Sequence, residues 1–318
     1  MGAVLAFTLA SGVGVQAKSP EELSKVKQVS QAEFEALKPA GEATLEQKRE
    51  VIGDILLDAG VPEFMVEKLD GDMLESLYKC PGFEVQIEYS QEEPDGRLKR
   101  ISFEQHKRIM EYNQRFSDKM SSNPVLQTSE QLRANDPAIS NEISNLTHML
   151  IVGNPVDGER FCWAIGGWNV SPVNRMMDFI GITSSSLATI LVNTAVAGYS
   201  YTIQTHDGDI DKGDSYEFNS TDFAESGYGV GKEMRLPLDP LLYSSSAQKA
   251  VICPCKDIVL SIAVWEEALN ISHNIISNYF HKYWGITFGV EISGDGAGFS
   301  ISPQLAFDNS DVSQTIRV

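Results

Sequence analysis

The sequence has few of the residues from which catalytic and metal sites are most often built. Its 318 residues include only four cysteines and five histidines. No His-Glu-x-x-His, Gly-x-Ser-x-Gly or Cys-x-x-Cys pattern occurs, so zinc sites and the common hydrolase nucleophile have no motif here. The chain also lacks an apolar run of the roughly 20 residues that a transmembrane helix needs. An enzyme is therefore the less favoured class, and a hydrolase with a non-sequential active site stays as a third alternative.

The four cysteines leave the redox state open. They are Cys80, Cys162, Cys253 and Cys255, and an even number permits three disulfide pairings. Cys253 and Cys255 are too close in the chain to bridge each other comfortably. A link from Cys162 to one of them and a set of buried reduced thiols are both compatible with the sequence.

Basic residues are scarce relative to acidic ones. The chain has 25 lysines and arginines against 44 aspartates and glutamates, which gives a formal net charge of -19. This charge repels the phosphates of nucleic acids and of anionic membrane surfaces, so we expect no nucleic-acid partner and disfavour a membrane partner. Acidity is also common among exported proteins, where it often reflects solubility alone.

The N-terminal residues predict export. Residues 2–16 carry no charge, Leu5 to Leu9 form a short apolar run, and Val15-Gln16-Ala17 is similar to a signal-peptidase site. We therefore predict a signal peptide over residues 1–17, cleavage after Ala17, and a secreted or cell-surface location. The pattern departs from the usual one because no lysine or arginine precedes the apolar run. A buried N-terminal strand or helix is the alternative.

Residues 18–120 have mainly helical patterns and one predicted hairpin. The charged segment from Lys18 to Gly41 is typical of a surface linker or a frayed helix. Thr44 is a suitable cap for a helix that Gly60 ends, and two further short helices precede Cys80. The turn Pro94-Asp95-Gly96 predicts a hairpin over residues 83–103, and a helix over 104–120 follows. Residues 121–140 are polar and predict a linker.

Residues 141–318 have strand patterns. Strands are predicted over residues 145–152, 161–168, 258–264 and 275–284, and the first two are apolar on both faces, as in covered central strands. Residues 187–205 form either one long strand with a bulge at Ala197-Gly198 or a short helix followed by a strand. Period-two alternation on both sides of a glycine-rich turn, residues 293–298, predicts a hairpin from Ile286 to Phe307.

The sequence therefore predicts an α+β fold. A small helical N-terminal region, residues 18–120, is followed by a mostly antiparallel β-sandwich domain, residues 141–318. The polar stretch between them is typical of a domain boundary, so we expect the later region to fold without the earlier one.

Two segments resemble a group of exported proteins. The segment ILLDAGVPEFMVEKL, residues 55–69, resembles the N-terminal part of functionally uncharacterised exported proteins of Gram-positive bacteria. The segment GVEISGDGAGFSISPQLAF, residues 289–307, resembles a terminal strand pair of the same proteins. The resemblance implies export and a C-terminal β domain, and it implies no catalytic residues.

The best candidate metal site is an acidic run. Asp207, Asp209, Asp211 and Asp214 place several hard oxygen ligands in one predicted loop, as calcium requires. The run departs from an EF-hand loop because Lys212 occupies the position of the turn glycine and Phe218 the twelfth position. A solvated acidic turn is the favoured alternative, and calcium stays a hypothesis.

Other short motifs are weaker. The segment Gly227 to Lys232 lacks the serine or threonine and the helix of a phosphate-binding loop, so it predicts a turn. Ser246-x-x-Lys249 has the spacing of a nucleophile and its base but no partner motif. Glu266 and Glu267 are adjacent, so they cannot face one substrate together, and a solvated face is expected for both.

Aromatic residues recur along the predicted strands and allow a binding face. They are Trp163, Trp168, Tyr199, Tyr201, Tyr279, Phe280, Tyr283 and Trp284. Core packing is the favoured interpretation, since aromatic side chains dominate cores. We expect an exported, non-catalytic binding or structural module with an extracellular protein or carbohydrate as its ligand. A β-pore-forming or membrane-acting protein is the alternative, because the strand around residues 184–205 is long and rich in serine and threonine.

Overall fold

The structure is a computed structural model that describes most of the chain. The described residues are 24–122, 142–173, 175, 177–184, 188–226, 228–246, 248–268, 271–281, 288–292, 299–303 and 310–318. The predicted signal peptide, nearly all of the predicted linker and the glycine-rich turn at 293–298 lie outside them.

The described residues form five helices and seventeen strands. The helices are α1 (Gln31–Leu37), α2 (Leu45–Ala59), α3 (Glu63–Glu67), α4 (Gly71–Lys79) and α5 (Phe103–Ser122). The strands are β1 (Ser24–Val29), β2 (Phe83–Glu92), β3 (Leu98–Ile101), β4 (Asn145–Gly153), β5 (Glu159–Val170), β6 (Met177–Ser184), β7 (Ile190–Thr205), β8 (Gly208–Glu217), β9 (Phe223–Ser226), β10 (Gly229–Arg235), β11 (Leu241–Ser244), β12 (Lys249–Ile252), β13 (Cys255–Glu267), β14 (Asn274–His281), β15 (Phe288–Ile292), β16 (Phe299–Pro303) and β17 (Ser310–Arg317). Within these residues, no helix combines the length and apolar character that a bilayer crossing requires.

Local sequence signals for the helices are confirmed. Thr44 caps α2 with a full capping box, in which Gln47 hydrogen-bonds back to the Thr44 backbone. Gly60 ends α2 in the left-handed conformation, at φ 103°, where a glycine avoids the Cβ clash. The hairpin around Pro94-Asp95-Gly96 is also present, as β2 paired with β3. These features were predicted correctly because each depends only on residues a few positions apart in the chain.

The prediction of a linker or a helix for residues 18–41 was wrong at residues 24–29, whereas residues 31–37 are helical. Residues 24–29 form β1, which pairs antiparallel with β2 at one edge of a sheet, and α1 follows directly. The strand has no alternating pattern because Lys25, Lys27 and Gln28 lie at an edge, where polar side chains reach water on both faces.

The fold is a sandwich of two antiparallel sheets with helices on one outer face, as predicted. The first sheet has eight strands in the order β1-β2-β4-β5-β13-β7-β8, with β3 also paired to β2. The second sheet has five strands in the order β17-β14-β6-β10-β9. One hydrophobic core lies between the helices and the first sheet, and another lies between the two sheets.

Two adjacent glycines show how β5 serves both cores. A Cβ on Gly166 would lie 2.1 Å from the Tyr279 ring, which comes from the second sheet. A Cβ on Gly167, on the opposite face of β5, would lie 2.5 Å from the Met65 sulfur of α3. The glycine pair therefore admits one large side chain from each neighbouring layer, and β5 is the covered central strand that its sequence predicts.

The residues on either side of the predicted linker share one sheet. Strand β2, from the predicted helical region, pairs with β4 from Phe83↔Gly153 to Gln91↔Asn145. The first core likewise joins side chains of α2 and α4 to Met149, Ile151 and Val259 of the later region. Independent folding of residues 141–318 is therefore no longer expected, although most of the predicted linker lies outside the described residues.

Residues 190–205 form one strand, so the alternative of a short helix was wrong. Strand β7 pairs with β13, and the pairing is regular at Ala197 and Gly198, where a bulge was expected. The register shifts instead on both sides of that pair, between Leu191 and Val196 on β7 and between Lys256 and Val259 on β13. The irregularity between Leu191 and Val196 accounts for the change in parity along β7, because Ile190 lies in the core between the sheets together with Ala195 and Ala197.

The terminal hairpin is confirmed for its described strands. Strands β15 and β16 pair antiparallel from Phe288↔Pro303 to Ile292↔Phe299 as a separate two-stranded sheet. Strand β14 ends at His281, and residues 282–287, which were expected to continue it, lie outside the described residues.

Candidate binding surface

A small hairpin outside both main sheets exposes an apolar face. Strands β11 and β12 pair only with each other, with Leu241 opposite Ile252 and Tyr243 opposite Ala250. Leu241, Tyr243 and Ile252 share one face and are 68%, 70% and 40% exposed. Exposed apolar side chains that cluster in this way are unusual on a soluble protein and mark interaction sites.

The other face of this hairpin holds it against the sandwich. Leu242 and Val251 pack on a small core that contains Ile203, Cys253 and Cys255. The backbone N–H of Cys253 also donates to the Pro240 carbonyl at 2.9 Å. One face of the hairpin is thus used for packing, and the opposite face is exposed.

Two aspartates fix the ends of this hairpin. Asp207 accepts hydrogen bonds from the backbone N–H and the hydroxyl of Ser245, at 3.0 and 2.9 Å, in the turn that follows β11. These hydrogen bonds hold the pKa of Asp207 below its usual value. Before β11, Asp239 accepts from the Cys255 backbone N–H at 2.7 Å and forms an ion pair with Arg175. The hairpin is therefore held in a fixed position before any ligand arrives.

The four predicted calcium ligands lie apart. Asp207 is in the turn before β8, while Asp209 and Asp211 lie on the face of β8 that neighbours the helices. Asp209 forms a salt bridge with Lys256 at 3.1 Å, and Asp211 forms one with Lys68 at 2.6 Å. Asp214 has the opposite parity and therefore points to the other face of the strand.

The predicted loop is thus a strand, and the four aspartates do not converge in this structure. Alternation along β8 separates Asp214 from Asp209 and Asp211, because successive side chains of a strand point to opposite faces. No group of three or more His, Cys, Asp or Glu side chains able to hold a metal ion occurs among the described residues. Calcium binding by Asp207, Asp209, Asp211 and Asp214 stays a hypothesis that would require β8 to rearrange.

A buried polar network lies between the two sheets. Asp178 of β6 accepts hydrogen bonds from the Tyr279 hydroxyl and from Trp168 Nε1, the latter at 3.1 Å. Its other oxygen lies 2.8 Å from Nδ1 of His281, whose Nε2 is 3.5 Å from Oε1 of Glu92. Burial alone would lower the pKa of His281, but the two carboxylates outweigh burial and raise this pKa to about 9.

This network joins the layers of the sandwich. Trp168 and Glu92 come from the first sheet, whereas Asp178, Tyr279 and His281 come from the second. All five side chains are buried, so a substrate in solution has no access to them. The network pairs a protonated histidine with two carboxylates, which is how proteins accommodate charge in an interior.

A second buried group corrects the prediction for Glu266. Glu266 is fully buried and accepts from Arg160 at 3.0 Å, and its other oxygen lies 2.9 Å from His273 Nε2. Glu267 is exposed, as expected, since adjacent residues of a strand point to opposite faces. The three buried side chains satisfy one another and leave no free acid or base for catalysis.

The remaining weak motifs belong to hairpins. Ser246 lies in the turn between β11 and β12, and Lys249 begins β12, so this pair is not on the helix that its spacing requires. Gly229 to Lys232 belong to strand β10, so the turn predicted for these residues was wrong. A groove of about 280 Å³ between α1 and α2 is lined by Leu37, Pro39, Gln47, Glu50, Val51 and Asp54. It contains no pair of a nucleophile and a base.

All four cysteines are free and buried, so of the two alternatives that the sequence left open the structure has the set of buried reduced thiols. Burial raises the pKa of the Cys80 thiol to about 11 and that of Cys255 to about 12. Thiols with such pKa values are protonated near neutral pH and therefore unreactive.

The aromatic residues mainly build cores. Trp163, Trp168, Tyr279 and Phe280 are buried, and Tyr199 and Tyr201 are half-buried; Tyr283 and Trp284 lie outside the described residues. The exposed apolar face that does exist was missed. Leu241 and Tyr243 alternate with polar or inward residues before a serine-rich turn, and Ala250 and Ile252 alternate after it. This short period-two pattern was the available signal.

Comparisons with known proteins find little in common. The sequence matches no protein-family model and no curated protein. Among solved structures, one similarity is to Clostridium perfringens delta-toxin, with 7% identity and a TM-score of 0.20 over 56% of this chain and 85% of that one. The collagen binding domain of Erysipelothrix rhusiopathiae surface protein RspB has 6% identity and a TM-score of 0.25 over 56% of this chain and 63% of that one.

A third solved structure is described as a pore forming protein. It has 10% identity and a TM-score of 0.18 over 55% of this chain and 86% of that one. With TM-scores this low, none of the three similarities carries an argument about fold or function. The resemblance of residues 55–69 and 289–307 to exported Gram-positive proteins stays a prediction.

Proposed function

We propose that this protein is a non-catalytic binding module that acts outside the cell and holds a protein ligand on the outer face of the β11–β12 hairpin. The observation that carries the proposal is the exposed cluster of Leu241, Tyr243 and Ile252 on a hairpin whose opposite face is packed and whose ends are anchored. Tyrosine is among the residues that contribute most to binding at protein interfaces. The predicted signal peptide supports the location.

The composition of this face favours protein over carbohydrate. Two of its three large side chains are aliphatic, and its fourth member, Ala250, adds no polar group. Selective carbohydrate recognition needs several convergent hydrogen-bonding groups, as small-molecule sites in general do. The buried carboxylates Glu266 and Asp178 are each paired with a basic side chain and out of reach of a substrate, which supports a non-catalytic role.

The experiment compares two double variants. Leu241→Ser with Tyr243→Ser removes the exposed face, and Val26→Ser with Leu57→Ser removes two exposed apolar side chains on β1 and α2 as the control. Each protein is titrated onto surfaces coated with extracellular-matrix proteins and onto surfaces coated with polysaccharides. We expect saturable binding to a protein surface that weakens at least tenfold in the first variant only, since interface anchors each contribute about 2 kcal/mol or more.

Three results would overturn the proposal. Equal loss of binding in both variants would show that the hairpin face is not the site. Binding confined to polysaccharides would change the ligand class. Release of an entrapped dye from liposomes at sub-micromolar protein would instead favour the pore-forming alternative.

A further inference from the structure

Strand β8 is a long strand at the edge of the first sheet. It pairs with β7 along ten residues, from Val196↔Glu217 to Thr205↔Gly208, without a shift in register. It is the last strand in the order of that sheet, and all ten of its residues are exposed. Among the described strands, none pairs with its outer edge. Half of its backbone N–H and C=O groups therefore point away from β7 with no strand to receive them.

The features that usually shield an edge are few on β8. Natural edge strands are commonly short, bulged, covered or interrupted by proline. Strand β8 has ten residues, a regular ladder and no proline. By contrast, β9 at one edge of the second sheet has four residues, and β1 at the other edge of the first sheet has six. The main shield that β8 has is its charge.

The negative charge is concentrated on one face, because Lys212 lies on the same face as Asp214 and balances its charge. Asp209, Asp211 and Glu217 lie on the face towards the helices, and Asp214 lies on the other face with the apolar side chains of Ile210 and Tyr216. Lys212 is the single basic residue of the strand. Two copies of β8 would place carboxylates opposite carboxylates, and like charges directly opposite each other destabilise a strand pair. The net charge of -19 adds to this repulsion.

We propose that the outer edge of β8 accepts an extended segment of the partner protein, added as a further strand, in which basic residues alternate with apolar ones. The inference rests on the proposed binding function and names the chemistry of the ligand. Basic side chains would lie opposite Asp209, Asp211 and Glu217, and apolar ones opposite Ile210 and Tyr216. Backbone hydrogen bonds to an edge strand supply affinity, and the alternating side chains supply selectivity.

The position of β8 supports this chemistry. The turn that precedes β8 is joined to the β11–β12 hairpin by the hydrogen bonds from Ser245 to Asp207. The edge of the first sheet therefore starts beside the exposed apolar face of that hairpin.

The test uses a ten-residue peptide that alternates lysine and valine, blocked at both ends. A second peptide of the same sequence carries N-methyl groups on alternate amides, which remove the strand-forming hydrogen bonds on one edge but leave the charge unchanged. Binding of each to the full chain is measured by calorimetry at low salt. The protein variants are Asp209→Asn with Glu217→Gln, and Glu233→Gln with Glu267→Gln as a control that removes two exposed carboxylates from other strands.

We expect the unmethylated peptide to bind and the methylated peptide not to bind. The variant of β8 should bind about 2- to 30-fold more weakly, the range for the loss of two cross-strand charge pairs, and the control should be unchanged. Equal binding of both peptides would overturn the inference, because the interaction would then be electrostatic alone. Failure of the unmethylated peptide to bind would also overturn the inference. If the Leu241 and Tyr243 variant still loses binding to its protein-coated surface in that case, the proposed function stands without a role for β8.

Discussion

The buried pair of His281 and Asp178 makes a prediction about stability and pH. His281 lies between Asp178 and Glu92, at 2.8 Å and 3.5 Å, and its pKa is raised to about 9 from an ordinary value of 6.5. The informative perturbation is the double variant Asp178→Asn with His281→Asn. It removes both titrating groups of the pair, and the two amides that replace them can hydrogen-bond to each other.

The direction and the size of the change in stability with pH follow from the pKa values of His281 in the folded and the unfolded protein. Below pH 6.5 the histidine is protonated in the folded and unfolded states, so the contribution of the ion pair to stability is complete. Between pH 6.5 and about 9 the folded protein keeps a proton that the unfolded chain has released, so stability falls as pH rises. Since each pKa unit corresponds to about 1.4 kcal/mol, the total loss is about 3 kcal/mol.

The assay is urea denaturation of the wild type and the double variant at several pH values from 6 to 9.5. Other groups also titrate in this range, including the cysteines, but they are common to both proteins and cancel in the difference. The free energy of unfolding of the wild type minus that of the variant should fall by about 3 kcal/mol across the range. NMR of the histidine ring should show a pKa well above 6.5.

A constant difference between the two proteins from pH 6.5 to 9 would refute the reasoning. So would a difference that grows with pH, or a His281 ring that titrates below 6.5. Either result would mean that burial dominates over the two carboxylates and that the histidine is neutral in the folded protein.

Three further predictions test the fold and the acidic strand. Gly166→Ala should destabilise the protein by about 1–3 kcal/mol, as overpacking does, because the new methyl group meets the Tyr279 ring. Urea denaturation measures this loss of stability, and an unchanged midpoint would contradict the packing between the sheets. Residues 142–318 expressed alone should be insoluble or melt without cooperativity, since β4 loses its pairing with β2; a sharp melt would show an autonomous domain. Calcium at about 5–10 mM, well above the weak extracellular range, should leave the melting temperature equal to that in chelator, and a rise that Asp209→Ala abolishes would restore the calcium hypothesis.

Much of the local structure was predictable because its causes lie close together in the chain. Thr44 meets its capping partner three residues later, and Gly60 ends the helix through its own backbone conformation. The alternation of apolar and polar residues along β13, β15 and β16 likewise predicts strands directly. The exposed hairpin was within reach of the same reasoning, but its two strands of four residues each were too short to stand out.

The sequence by itself determined four of the five described helices, nine of the seventeen described strands, the antiparallel sandwich and the acidic character of the chain. Tertiary structure alone decided what the polar residues do. Glu266 and Glu267 are the same residue type in adjacent positions, yet Glu266 is buried because Arg160, 106 residues earlier, and His273 meet it. Asp209 and Asp211 differ from Asp214 only through the pairing of β8 with β7. Strand register fixes which face and which distant partner each side chain receives, and register depends on the whole sheet rather than on neighbouring residues.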